Sequence, residues 1–273
     1  MDNGIHFISG LPRAGSTLFS AILRQNPKFH ASVSSGVTAL VLNALTEMSQ
    51  ASESNVFYSE ERRLNVLRGM FQGYYQDVHR RRTVFDTNRM WCAKLALLDQ
   101  LYPKARVICC VRDLSWVYDS IEALIQRNPT QLSRIFAFDP AGTVYDRFEH
   151  IARGNGLVGF AYNALRQACF GPHADKLLLL TYETLTTDPA GAMAQVYDFL
   201  GMKPFQHDFG NIAFDVDVEA FDRYLGTPGL HSVGSSVSPR TRRSVLPPDL
   251  FARAANDAFW RDPARRPEGL RIV

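Results

Sequence analysis

Residues 5–18 read IHFISGLPRAGSTL and combine an apolar run, a turn of small residues and the start of a helical pattern. The apolar character of residues 4–9 predicts a short buried strand. Gly10 and Pro12 force a turn after that strand, and from Ser16 onward the apolar positions recur with helical spacing. The stretch therefore predicts a strand, a tight turn and a helix, in that order.

The turn has the composition of an anion-binding site. The first amide groups of a helix have no partner within it, and together with the helix dipole they attract negative charge. Gly10, Gly15, Ser16 and Thr17 suit such a site. A nucleoside triphosphate loop would read G-x-x-x-x-G-K-[ST], but Ser16 stands where that lysine belongs and the cation is Arg13. The alternative is an ordinary strand-to-helix turn that carries a surface arginine.

Strands and helices alternate along the rest of the chain, which is typical of a parallel sheet. Further buried strands are predicted over residues 83–86, 106–111 and 177–181. Helices are predicted from residue 16 to Asn26 and over residues 37–48, 60–82, 95–101, 115–127, 141–170 and 189–200. We predict one α/β domain over residues 1–273, with a central parallel sheet flanked by helices.

The alternation of predicted strands and helices does not continue over residues 203–246. This stretch is rich in Gly, Ser, Pro and Arg, shows no clear period and is too long for a simple connection. It is either a cover over the active site or a disordered segment.

Composition excludes several classes of partner. The chain has 30 Lys+Arg and 27 Asp+Glu, a net charge of +3, which gives no support for a nucleic-acid or membrane partner. It has no apolar stretch of about 18 residues and no leader with a basic start and an apolar core, so we expect a cytoplasmic protein. Its cysteines lack metal spacing and a disulfide-rich setting, and we expect reduced, buried thiols at Cys92, Cys109, Cys110 and Cys169.

Residues 12–18, PRAGSTL, closely resemble the 5'-phosphosulfate loop of sulfotransferases, which typically reads P-[RK]-[SAT]-G-[ST]-[ST]-[LW] after a buried strand. That family uses 3'-phosphoadenosine 5'-phosphosulfate (PAPS), and the resemblance implies a P-loop-like sulfotransferase fold. A sulfuryl group carries less negative charge than a phosphoryl group, so a cation and backbone amides stabilise its transfer without a metal. The resemblance implies that the cofactor is bound by Pro12, Arg13, Ala14, Gly15, Ser16 and Thr17.

A second motif matches the 3'-phosphate site of the same family, which follows a later strand as R-D-x6-S. Residues 107–121, VICCVRDLSWVYDSI, contain it as Arg112 and Ser120. Arg112 leaves the strand at the edge where ligands bind in open α/β sheets. The alternative is that Arg112 pairs with Asp113 and Ser120 faces solvent.

A third motif lies at residues 177–189, LLLLTYETLTTDP, and is followed by VYDFLGM. It is similar to a segment of tyrosylprotein and related sulfotransferases, in which the tyrosine lies near the adenine. Tyr182 is therefore a candidate adenine contact, and simple packing is the alternative. In the tail, three arginines are candidates to cover the 3'-phosphate, Arg242 before the others: Arg240, Arg242 and Arg243. The alternative for these is a solvated basic loop.

Transfer to a hydroxyl benefits from a general base. Tyrosylprotein sulfotransferases carry a Glu downstream of the loop arginine, but the corresponding residues 28–37, KFHASVSSGV, offer only hydroxyls around Ser34 and Ser35. We rank three candidates for the base. Asp86 comes first because it ends a buried strand just before Thr87, Asn88 and Arg89, although it could instead cap the next helix. His30 is second and His231, in the tail, is third.

These features predict a PAPS-dependent sulfotransferase that acts on the hydroxyl of a phenol, an alcohol or a peptide tyrosine by direct in-line transfer, with Arg13 as the catalytic cation and no metal. A phosphotransferase of the P-loop kinase type is one alternative, against which the missing Gly-Lys-Ser/Thr counts. A nucleotide-binding relative without catalytic activity is another, and the missing Glu is its motivation.

Overall fold

A parallel sheet forms the centre of the protein. The computed structural model describes residues 4–49, 52–78, 82–139, 142–214, 218–239 and 241–273. All strand pairs are parallel, and the strand order is β2-β3-β1-β4-β5-β6. The strands are β1 (Ile5–Gly10), β2 (Phe29–Ala31), β3 (Thr83–Thr87), β4 (Val107–Val111), β5 (Leu177–Thr181) and β6 (Arg271–Ile272).

Helices flank this sheet and complete the predicted α/β class, which is confirmed. The α-helices of the described ranges are α1 (Ser16–Arg24), α2 (Val37–Glu47), α3 (Glu60–Tyr74), α4 (Leu95–Leu101), α5 (Leu114–Arg127), α6 (Val144–Ala152), α7 (Leu157–Phe170), α8 (Tyr182–Thr187), α9 (Pro189–Leu200), α10 (Glu219–Tyr224) and α11 (Pro248–Ala255). Of these, none has the length and apolar character needed to cross a membrane.

The helix predicted over residues 60–82 is shorter than expected and ends at Tyr74. Gly73 weakens the last turn of the helix. Tyr75, the first residue after the helix, is buried, and its hydroxyl donates a hydrogen bond to the carboxylate of Asp86 in β3. Residues 79–81 of the prediction lie outside the described residues.

The helical region predicted over residues 141–170 is divided into α6 and α7, and residue 141 lies outside the described ranges. The chain bends back between the two helices at Gly156. A Cβ atom there would lie 2.4 Å from the carbonyl oxygen of His150, so only glycine fits at this bend.

Several short elements were not predicted. Helices α8, α10 and α11 have six, six and eight residues, and β6 has two. Such lengths hold too few residues to show a hydrophobic period. Helix α10 lies inside the stretch 203–246, which is therefore not structureless throughout.

The end of β1 is the point at which the fold positions its site. All six residues of β1 are buried, and Gly10 pairs with Cys110 of β4. Gly10 has a φ of 103°, and a Cβ atom there would lie 2.2 Å from the carbonyl oxygen of Cys110. Glycine is therefore required at this position both for the turn and for the close approach of β4.

His6 is buried in β1 as a neutral imidazole. Its Nδ1 accepts a hydrogen bond of 3.1 Å from the backbone amide of Arg106, and its ring packs 5.5 Å from that of Phe85. Burial, followed by the positive charge of Arg106, lowers the pKa of His6 from 6.5 to about 4. Protonation of His6 at Nδ1 would remove the hydrogen-bond acceptor of the Arg106 amide and place an uncompensated charge in the core.

We expect Gly10→Ala to destabilise the protein by about 3 kcal/mol or more, because the alanine is strained at positive φ and collides with β4. Gly69→Ala is the matched control. Gly69 lies within α3 and has no atom within 4 Å of an added Cβ, so alanine there should be stabilising by up to about 1 kcal/mol. Urea unfolding of both variants measures the difference, and a Gly10→Ala protein as stable as wild type would contradict the assigned role.

We expect the stability of the wild type to fall as the pH drops from 6.5 toward 4, because the unfolded state binds the His6 proton more tightly than the folded state does. The loss due to His6 should be of the order of 3 kcal/mol. His6→Asn keeps an acceptor at the δ position and should have a flatter profile. Urea unfolding at a series of pH values tests this, and parallel profiles for the two proteins would disprove it.

Candidate active site

The loop between β1 and α1 has a backbone that leaves its amides uncovered. Gly10, Arg13 and Gly15 have positive φ values of 103°, 58° and 93°. A positive φ is uncommon for an arginine, and in this loop it curls the chain around a concave surface. Helix α1 begins at Ser16 with no side-chain cap on Gly15 and no acidic residue in its first turn. Its first amides are therefore left for an external anion.

Arg13 links the loop to two other parts of the chain. Its Nε donates a 3.1 Å hydrogen bond to the hydroxyl of Ser120 in α5, and its Nη1 donates to the carbonyl oxygen of Leu230 in the tail. Burial, and then the charges of Arg112 and Arg127, lower the pKa of Arg13 to about 10. The guanidinium therefore stays charged at neutral pH inside a positively charged environment.

The second and third motifs meet beside the same loop. Arg112 follows β4, and its guanidinium lies 4.1 Å from the ring centroid of Tyr182. It also donates a 3.4 Å hydrogen bond to the carbonyl oxygen of Arg13, and burial lowers its pKa. A Cβ atom on Gly15 would lie 3.0 Å from the ring of Tyr182, so the loop backbone packs directly against this ring. The tyrosine therefore touches both the loop and the cation.

The tail is fixed next to Ser120 by a buried carboxylate. Asp119 is fully buried, forms an ion pair with Arg242 and accepts hydrogen bonds of 2.8 and 2.7 Å from the hydroxyl of Ser244 and the amide of Val245. The guanidinium of Arg242 lies 5.5 Å from the ring centroid of Trp116. Of the other predicted tail arginines, Arg243 also lines the cavity described next, and Arg240 lies outside the described residues.

These elements enclose a cavity of about 970 Å³. It brings together most of the predicted cofactor residues: Pro12, Arg13, Gly15, Ser16, Thr17, Arg112, Ser120, Tyr182 and Arg242. Ala14 is buried and does not line it. Within the described chain the lining includes no Asp or Glu, but it contains seven arginines: Arg13, Arg89, Arg112, Arg127, Arg134, Arg242 and Arg243. The cavity is therefore suited to an anionic ligand.

The structure does not bring the first base candidate, Asp86, into this cavity. Its carboxylate is fully buried and accepts hydrogen bonds from the indole of Trp91, at 2.6 Å, and from the hydroxyl of Tyr75. Burial raises its pKa. Residues 87–89 line the cavity instead. Asp86 does not cap the short 3-10 helix that follows, Arg89–Lys94, because the side chain of Asn88 accepts the hydrogen bond from the amide of Met90 at its start.

His30 also lies away from the cavity lining. It belongs to the edge strand β2, and its ring packs against that of Tyr75 with 5.8 Å between centroids. Burial, followed by the charge of Arg24, lowers its pKa. Of the two serines considered with it, Ser34 lines the cavity and Ser35 does not.

His231 is the base candidate that does line the cavity. Its Nδ1 lies 2.5 Å from Oδ1 of Asp222, and its backbone amide donates a 2.9 Å hydrogen bond to Oδ2 of the same residue. Asp222 is buried in α10. With Nδ1–H directed at the carboxylate, Nε2 of the neutral ring carries the lone pair. No motif or spacing in the sequence marks Asp222, because α10 has only six residues.

No set of three or more His, Cys, Asp or Glu side chains in the described ranges is arranged to hold a metal ion. The four cysteines in those ranges are free and buried.

The fold is similar to that of a solved sulfotransferase, and two further solved sulfotransferases match more weakly. The sulfotransferase from Alicyclobacillus acidocaldarius is 13% identical with a TM-score of 0.51, over 82% of this chain and 90% of that chain. The sulfotransferase domain from the Synechococcus PCC 7002 olefin synthase is 17% identical with a TM-score of 0.47, over 93% of each chain. Mouse sulfotransferase SULT7A1, complexed with PAP, is 12% identical with a TM-score of 0.48, over 76% of this chain and 61% of that chain.

No curated protein matches the chain. The model of the sulfotransferase family matches residues 6–207, a range that contains the loop between β1 and α1, Arg112 with Ser120, and Tyr182. Since this match covers most of the chain, the protein belongs to the sulfotransferase family.

Proposed function

We propose that this protein transfers a sulfuryl group from PAPS to the hydroxyl of a small acceptor. One observation carries the proposal. Arg13 of the first loop donates a hydrogen bond to Ser120 of the second motif, so the two motifs that resemble the 5'- and 3'-anion sites face one cavity. A nucleotide with anionic groups at both ends requires two such sites in reach of each other.

The described residues fit PAPS. Gly10 and Gly15 leave the loop amides open, and Arg13 adds a charge there. Arg112 and Ser120 would hold the 3'-phosphate, with Arg242 as the cover. The ring of Tyr182 would lie against the adenine. In this proposal the site is formed by Pro12, Arg13, Ala14, Gly15, Ser16, Thr17, Arg112, Ser120, Tyr182 and Arg242, with Ala14 contributing only backbone.

When bound, PAPS supplies the sulfuryl group. Arg13 is the catalytic cation: its guanidinium donates hydrogen bonds to the negative charge that develops during transfer. The amides at the start of α1 act in the same direction. These donors replace the lysine and metal of a triphosphate site.

His231 is the general base in this proposal. Nε2 accepts the proton of the acceptor hydroxyl, and Asp222 fixes the tautomer and stabilises the imidazolium that forms. Asp86 and His30 then have structural roles in the sheet, since neither lines the cavity.

We expect 3'-phosphoadenosine 5'-phosphate (PAP), the product nucleotide, to stabilise the protein against heat. At 100 times its dissociation constant it should add about 2.7 kcal/mol, a shift of several degrees. Arg13→Ala should weaken the shift. Arg166→Ala, a matched variant of an exposed arginine outside the cavity, should leave it unchanged. Differential scanning fluorimetry measures all three proteins.

ATP with magnesium is the comparison ligand for that experiment. No shift with PAP, or a larger shift with ATP and magnesium, would overturn the proposal in favour of a phosphotransferase. A shift with PAP but no sulfation of any phenol or alcohol in a broad panel would favour a relative that binds the nucleotide without catalysis.

We expect His231→Gln to lower kcat/KM by about 100-fold or more, because glutamine cannot take the proton. Asp222→Asn should lower it less, and Asp86→Asn should leave it near the wild-type value. Initial rates with labelled PAPS and the best phenol or alcohol of the panel measure these effects. An active His231→Gln protein together with an inactive, folded Asp86→Asn protein would transfer the role to Asp86.

A further inference from the structure

The cavity carries more positive charge than the proposed cofactor site uses. The proposed cofactor site uses Arg13, Arg112 and Arg242 of the seven lining arginines, and four are left: Arg89, Arg127, Arg134 and Arg243. The chain as a whole has a net charge of only +3, so this concentration is local. Such a cluster is self-repelling unless a ligand neutralises it.

Arg127 is the last residue of α5 and lines the cavity. Its charge lowers the pKa of Arg13, after the contributions of burial and Arg112. Its Nε donates a 3.1 Å hydrogen bond to the carbonyl oxygen of Ala123, and it forms no salt bridge in the part of the chain that the structure describes. Both terminal nitrogens therefore remain for a ligand.

Arg134 also lines the cavity and is held there by α10. Its Nη1 donates a 2.6 Å hydrogen bond to the hydroxyl of Tyr224, and its guanidinium lies 5.3 Å from the centroid of that ring. Its backbone amide donates to the carbonyl oxygen of Leu225. The same helix carries Asp222, the partner of His231. One short helix thus positions both the proposed base and this arginine.

Several arginines elsewhere in the described chain have carboxylate partners. Arg147 pairs with Glu122 at 2.6 Å, and Arg253 pairs with Glu149 at 2.6 Å. For Arg134, as for Arg127, the described residues supply no such partner. A guanidinium in a concave site without a carboxylate matches the planar geometry of a carboxylate or phosphate ligand.

We propose that the acceptor carries a carboxylate or phosphate group, which Arg127 and Arg134 bind while its hydroxyl lies against His231. This inference rests on the proposed function. In this arrangement α10 sets the distance between the anionic group of the acceptor and the base that removes the proton from its hydroxyl. The exposed ring of Phe221 lines the same wall and offers an apolar surface to the body of the acceptor.

Titration calorimetry on the PAP-saturated protein tests the inference with two matched pairs of probes. The first pair is 4-hydroxyphenylacetate and its methyl ester, and the second is glycerol 3-phosphate and glycerol. In at least one pair the anionic member should bind about tenfold more tightly or better, as expected for hydrogen bonds to a charged group. A preference within the first pair indicates a carboxylate acceptor, and a preference within the second pair indicates a phosphate acceptor.

The double variant Arg127→Gln/Arg134→Gln should abolish this preference and leave the affinity for PAP unchanged. Arg166→Gln is the control and should behave as the wild type. With labelled PAPS, KM for the anionic probe should rise about tenfold or more in the double variant, while KM for PAPS stays constant.

The possible failures are distinguishable. If PAP does not bind the wild type, the proposed function fails. If PAP binds but neither anionic probe is preferred over its neutral counterpart, only the anionic acceptor is overturned. If the double variant loses affinity for PAP, the two arginines belong to the nucleotide site, and the inference is overturned as well.

Discussion

The pairing of β1 with β4 at Gly10 is the contact on which the rest of the site depends. Only a residue without a Cβ lets the carbonyl oxygen of Cys110 approach this closely. That approach brings the loop after β1 next to the residues that follow β4, so Arg13 reaches Ser120 and Arg112 reaches the loop backbone. In a parallel sheet both strands end at the same edge, so the residues that follow them lie close together there.

Two buried carboxylates lie behind the cavity, whose lining among the described residues consists of cationic and neutral groups. Asp119 fixes the tail segment through Arg242, and Asp222 fixes His231. Neither lines the cavity itself. Each therefore orders a functional side chain while leaving the positive field of the cavity in place for an anionic ligand, because a carboxylate facing the cavity would repel the ligand.

Most of the predictions about the fold and the site rest on local sequence motifs. The strand, turn and helix at residues 5–18 and the strand before Arg112 depend on short-range patterns. The bounds of both strands agree with the structure within one residue, and α1 begins at Ser16 as predicted. The choice among bases did not follow from such patterns. Asp86 ends a buried strand as expected, but its side chain is directed into hydrogen bonds with Tyr75 and Trp91. The direction of a strand-end side chain depends on what packs against each face of the sheet.

The sequence by itself determined the fold class, the loop between β1 and α1 and the family resemblance, because small residues, a cation and hydroxyls at fixed spacing form a pattern within one short segment of the chain. Only the tertiary structure decided which candidate base enters the cavity, and it alone placed Arg127 and Arg134 in the lining of the same cavity as Arg13. Asp222 and His231 meet through a helix of six residues in a stretch with no period. Contacts of this kind are selected by packing of the whole chain, which leaves no local pattern in the sequence.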